Sequence, residues 1–195
     1  MIFLNRIAIQ PSMYIGLCIS LCVLPIQWIV SWFLAAMVHE LGHLIALKLL
    51  RIPVYRISLG FGGAYIETGF VCNSAEIFAA AAGPFAGALC LLLSESYPLL
   101  AICALVQSIY NLFPFPSYDG GRILASLTVL LFPEKIAQKV CQGIQIIFCV
   151  ALVIAGILFW IALELGMVCL ILFIAPVLKS GVIKIPCKRE RQIVQ

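Results

Sequence analysis

The segment M-V-H-E-L-G-H-L-I-A, residues 37–46, lies inside an apolar run over about 28–50. It holds both histidines of the chain, His39 and His43, with Glu40 directly after the first. An apolar run of this length is enough to cross a bilayer as a helix, so it is read as a membrane span. On a helix, positions i and i+4 stack on one face about 6 Å apart, which lets both imidazoles reach one metal ion. Glu40 is offset by one residue and sits beside such an ion instead of binding it. That placement suits a base acting on a water that the metal activates. An ionisable cluster within a span is costly unless something compensates, and it marks a functional site. His43 precedes Arg51 by eight residues, roughly 12 Å of helix inward from the charged boundary.

The rest of the chain agrees with a membrane setting. Of 195 residues, 64% are hydrophobic and only 10% charged, and the mean hydropathy is +1.17. Soluble domains carry about 45–50% apolar and about 25% charged residues. Too few charges are present to coat a water-soluble globule, which excludes a soluble enzyme, a disordered protein and a nucleic-acid binder. At roughly 20 residues per crossing the length allows about six spans, hence a single integral-membrane domain over 1–195. The expected spans lie at about 9–25, 28–50, 76–93, 98–113, 143–163 and 165–178, the last two joined by a turn near Glu164. Six spans put both termini on one side. All twelve basic residues then share that side, while Glu95 and Glu164 fall on the other, so both termini are expected in the cytoplasm. The N-terminal stretch lacks a small-x-small cleavage site and is expected to be retained. Nine cysteines with no C-x-x-C pair are expected to act as small buried hydrophobes, not as disulfides or metal ligands.

Two stretches depart from simple spans. Over 54–71, Tyr55, Ile57, Leu59 and Phe61 alternate with Arg56, Ser58 and Gly60 before Gly62-Gly63. Strand periodicity around a Gly-Gly pair predicts a β-hairpin. Further on, Pro114, Pro116 and Gly120-Gly121 interrupt an apolar region, and the prolines predict extended backbone there. Irregular backbone at membrane depth is tolerated only where protein buries it or it lines a wet cavity.

A catalytic zinc takes three protein ligands and leaves one position open. With no third histidine, the third ligand must be a carboxylate or a cysteine. Asp119 is the only aspartate and lies in the broken segment; its alternative role is to cap a short helix over 123–132. Two neutral imidazoles and one carboxylate leave a net charge of about +1, which would bring the pKa of a fourth-site water near ~7.

H-E-L-G-H (39–43) in an early span and N-L-F-P-F-P-S-Y-D-G-G (111–121) near span four together resemble the site-2 protease family of intramembrane zinc metalloproteases. The second stretch matches each specified position of that family's N-x-x-P-x-P-x-x-D-G pattern. The resemblance covers roughly 31–122. It implies an all-α integral membrane fold of about six helices, with a membrane-associated hairpin and a broken segment carrying the third metal ligand. It implies one zinc per chain, held by His39, His43 and Asp119, with Glu40 as general acid/base. Asn111 would hold the substrate backbone or polarise its carbonyl. A-A-G-P-F-A-G (81–87) is similar to the family's G-P-x-x-N, but Gly87 stands in place of the asparagine and no polar role carries over. The compact form, without an inserted PDZ or an appended CBS domain, is most similar to the stage IV sporulation FB-type branch, which cleaves membrane-associated pro-proteins.

The expected organisation is a catalytic core over about 28–132, C-terminal spans over about 143–178 and a basic cytoplasmic tail over 179–195. The tail is expected to anchor to anionic headgroups. An unwound substrate, itself a membrane protein or membrane-associated pro-protein, would add as a strand along the hairpin near Gly60, Phe61 and Gly62. No nucleic-acid partner is expected; a homo-oligomer and an inhibitory membrane partner stay open. Two other readings compete: a membrane metal carrier, which would need polar residues along a path through the spans, and a catalytically silent scaffold of the same fold.

Overall fold

The computed structural model describes residues 7–60 and 63–163. The chain divides into two compact units, Met1–Asn111 and Leu112–Gln195.

The first unit opens with a short strand, β1 (Ile7–Ile9), that runs at once into helix α1 (Pro11–Val23). Pro11 takes the first helical position, where a missing N–H costs nothing. Helix α2 (Ile26–Leu49) carries the two histidines. Its 24 residues span about 36 Å, longer than a bilayer's hydrocarbon core. The helix stops in a Schellman turn: the Ile52 N–H donates to the Leu47 carbonyl at 2.9 Å and the Arg51 N–H to the Lys48 carbonyl at 3.1 Å. Arg51 takes the left-handed conformation there, φ 57°, which usually falls to glycine. Pro53 then prevents any return to helix.

Two strands follow, β2 (Val54–Gly60) and β3 (Gly63–Thr68), paired antiparallel as the alternating pattern predicts. The sheet is larger than the expected hairpin. β1 pairs in parallel with β2, Ile7 opposite Ile57 and Ile9 opposite Leu59, giving the order β1-β2-β3. Residues 7–8 precede the expected first span and Ile9 opens it; a strand of three residues is too short to show a period of two.

Helix α3 (Asn73–Leu89) continues through a 3-10 turn (Cys90–Leu93), and α4 (Pro98–Asn111) closes the unit. α3 is rich in alanine and glycine, which lets backbones approach closely where no hydrophobic force drives helices together in lipid. A Cβ on Gly42 of α2 would come within 2.5 Å of the Ala82 carbonyl oxygen and 2.7 Å of the Ala86 Cβ. Ala35, Cys90, Cys103 and Ala104 form a buried apolar cluster beside Val38 and Leu100. Gln107 of α4 donates to the Trp32 carbonyl at 2.9 Å.

The second unit contains α5 (Asp119–Leu131) and α6 (Glu134–Leu163). The segment before α5 is not extended, as the prolines had predicted, but folds into tight turns. The Phe115 N–H donates to the Phe113 carbonyl at 2.8 Å and the Tyr118 N–H to the Phe115 carbonyl at 3.0 Å. Phe115 is fully buried. Its ring meets Tyr118, Phe113 and Phe148 of α6 with centroids 6.2, 6.4 and 5.9 Å away, an aromatic knot that fixes the turn. α6 starts well before the expected 143, at Glu134, and takes Lys135 and Lys139 into its first turns.

Among the described residues, three helical stretches are long and apolar enough to cross a membrane: Ile26–Leu49, Asn73–Leu93 and Glu134–Leu158. Pro11–Val23 and Pro98–Asn111 are apolar but shorter. Their outward side chains, Leu92, Ile147 and Ile161 among them, are large and exposed, as in a molecule whose solvent is lipid. The expected sixth span, the turn at Glu164, the basic tail and Arg6 lie outside the described residues.

Candidate metal centre

His39 and His43 are buried on α2, a helix otherwise rich in exposed apolar side chains. Their rings lie 4.8 Å apart at an interplanar angle of 80°. The Nδ1 of His43 lies 2.8 Å from the Ala79 carbonyl oxygen of α3. A carbonyl only accepts, so Nδ1 carries the hydrogen and, in the neutral ring, the lone pair resides on Nε2. Carbonyl anchoring of the far nitrogen is the usual support of a metal-binding imidazole. The Nε2 atoms of His39 and His43 approach to 3.1 Å. Two nitrogens on a tetrahedral zinc, each about 2.0–2.1 Å from it, stand about 3.3 Å apart. The pair therefore has the spacing that zinc requires.

Gly83 faces this pair from α3. A Cβ there would overlap Nε2 and Cε1 of His43 and reach 2.8 Å from Nε2 of His39. Glu40, one residue after His39, accepts at Oε1 the Ala64 backbone N–H, the donor of the second residue of β3, at 3.2 Å.

In the second unit, Asp119 is the first residue of α5 and is buried. Tyr118, with extended backbone, holds the N-cap position, so Asp119 does not cap the helix, and the helix begins earlier than the expected 123. A carboxylate in the first turn is favoured by the helix dipole. Arg122, one turn on, donates to Asp119 Oδ1 at 3.2 Å. The turn that delivers Asp119 requires the two glycines: a Cβ on Gly120 would overlap the Leu112 carbonyl, and one on Gly121 would overlap the Phe115 carbonyl.

The imidazoles of His39 and His43 in the first unit and the Asp119 carboxylate in the second are each of a donor type that zinc takes, and a catalytic zinc needs three such ligands with a fourth position open. Asn111 is the last residue of α4, and Gly60 the last of β2. Phe61 and Gly62 lie outside the described residues. Sequence reasoning missed Gly83, the Ala79 carbonyl and the Ala64 N–H. The one available signal was the Gly-Pro step at 83–84, where a glycine precedes a helix-interior proline.

The fold is that of a helical membrane protein with a small sheet against a histidine-bearing helix. It is similar to the site-2 protease from Methanocaldococcus jannaschii, with a TM-score of 0.60, 20% identity and 93% of each chain covered. No family model matches the sequence, and no curated protein matches it.

Proposed function

We propose that this chain is an intramembrane zinc metalloendopeptidase that hydrolyses peptide bonds in or near membrane-spanning segments of membrane-associated proteins. The observation that carries the reading is the convergence of the two Nε2 atoms at 3.1 Å, with the His43 ring turned by the Ala79 carbonyl. Packing alone does not require two imidazoles to meet inside an apolar helix, and the likeness in fold to a site-2 protease points the same way. His39, His43 and Asp119 hold the metal, one ion per chain. When bound, zinc supplies Lewis acidity toward the scissile carbonyl and toward water.

The residues of the chain do the rest. Glu40 takes a proton from the attacking water and delivers it to the leaving nitrogen. Asn111 contacts the substrate backbone. A peptide bond in a helix is shielded by its own turn, so the substrate must be bound extended. β3 lies at the edge of the sheet, and a substrate strand adds along it, hydrogen-bonded through the backbone. The Ala64 N–H points away from β2 to Glu40. By the alternation of an antiparallel ladder, the N–H and C=O of Ile66 share that outer edge.

Six spans, cytoplasmic termini, a headgroup-binding tail and kinship with the compact sporulation branch belong to the same proposal. Purified wild type and Glu40→Gln, tested for zinc and for cleavage of single-span and amphipathic-tail substrates, decide it. About one zinc in both, with cleavage by wild type alone, supports the reading. Zinc in both without any turnover leaves either a substrate outside the panel or the silent scaffold, and absence of zinc from both removes the metal centre.

A further inference from the structure

We infer that α3, which supplies no ligand, moulds the metal pocket through two points one helical turn apart: the Ala79 carbonyl and the bare backbone of Gly83. The inference rests on the proposed metal reading and adds a positioning role to it. Residues four apart share a helix face, so Ala79 and Gly83 meet the His43 ring together. The Ala79 oxygen binds the far nitrogen at 2.8 Å. The missing side chain of Gly83 leaves room where the two Nε2 atoms converge, because a Cβ would overlap Nε2 and Cε1 of His43 and crowd Nε2 of His39.

The atoms that a Gly83 Cβ would meet belong to the far ends of two histidine side chains, not to backbone. Gly83→Ala is therefore accommodated by rotation of the imidazole, which breaks the Ala79 hydrogen bond and moves the donor away. The fold survives and the metal is held more weakly. Gly42 behaves differently, since its Cβ would press on the Ala82 carbonyl of α3 itself.

Full-length wild type, Gly83→Ala and Gly42→Ala, purified in detergent, are compared for zinc affinity and for thermal stability with and without zinc. Gly83→Ala is expected to keep the zinc-free melting temperature of wild type while binding zinc about 10- to 100-fold more weakly. Gly42→Ala is expected to lower the melting temperature in both states. Wild-type zinc affinity in Gly83→Ala overturns the inference. A wild type that is folded yet takes up no zinc overturns the metal reading and this inference with it. The second measurement needs no variant: nitrogen NMR of the zinc-free wild type with isotope-labelled histidine. It is expected to show His43 protonated on Nδ1, and an Nε2–H tautomer overturns the mould.

Discussion

The backbone N–H of Ala64 donates to Oε1 of Glu40 across 3.2 Å, so the start of β3 grips the one carboxylate adjacent to the histidine pair on α2. Ala64 stands opposite Leu59 in the β2–β3 ladder. An N–H that leaves the strand pair marks a position whose donor faces the outer edge. The edge offered to a substrate strand therefore begins at the group proposed to move the proton. Positioning of the peptide and orientation of the base become one structural problem.

Two substitutions separate those roles. Glu40→Gln keeps the shape of the side chain and loses the base; it is expected to retain zinc and to lose hydrolysis by about 10²–10⁴-fold or more. Ala64→Pro removes the donor while leaving the carboxylate, and proline is tolerated on an edge strand. It is expected to keep zinc and to lower kcat roughly tenfold, whereas Ala64→Gly, which retains the N–H, stays near wild type. Equal activity in the proline and glycine variants would show that the hydrogen bond does not orient Glu40.

Removing a metal donor has a different signature. His39→Ala, His43→Ala and Asp119→Ala are each expected to abolish stoichiometric zinc, and activity with it. A chelator should silence wild type, and added zinc should restore it, as expected when the deprotonated donor set itself forms the site. Zinc at the wild-type level in any one alanine variant would remove that residue from the donor set.

The parts of this arrangement that sequence reveals are those written in side chains with a period. The spacing of His39 and His43 dictates a shared helix face, and the alternation through Tyr55, Ile57 and Leu59 dictates the hairpin. β1 escaped because Ile7–Ile9 is short and pairs with a strand some fifty residues away in sequence. The start of α6 escaped because Lys135 and Lys139 read as a loop, although the helix begins at Glu134, an acidic residue that the dipole favours in a first turn. Gly83 escaped for a deeper reason. Its contribution is the absence of atoms at a point defined by another helix, and no local pattern encodes that. The prolines at 114 and 116 fix their own φ but not the ψ of their neighbours, so they exclude helix without deciding between extended chain and turn.

The turn before α5 gives a stability test with a built-in contrast. Gly120 and Gly121 lie where a Cβ would overlap the Leu112 and Phe115 carbonyls, and backbone cannot swing aside as a side chain can. Gly120→Ala and Gly121→Ala are expected to destabilise the protein by about 1–3 kcal/mol or more. They should also weaken zinc binding, because Asp119 immediately precedes them. Gly143 in α6 has nothing within 4 Å of its would-be Cβ. Gly143→Ala should therefore gain up to about 1 kcal/mol from helix propensity. Thermal unfolding in detergent checks both signs, and a neutral Gly120→Ala would mean that the turn relaxes freely.

Cys72 supplies a pH-dependent probe at the entrance to α3. It is exposed and stands just before the first residue of the helix. The hydroxyl of Ser74, 3.4 Å from its sulfur, is the main cause that holds the thiol below its usual pKa, followed by the backbone N–H of Ala75. The thiolate is the nucleophile, so a lowered pKa makes Cys72 reactive at a lower pH than an ordinary thiol. Ser74→Ala removes the larger cause and leaves the backbone contribution. The pH midpoint for alkylation of Cys72 by a water-soluble maleimide, read by mass spectrometry, should rise in that variant without reaching the value of an unstructured cysteine. An unchanged midpoint would mean that the hydroxyl does not stabilise the thiolate and that the helix start alone sets its reactivity.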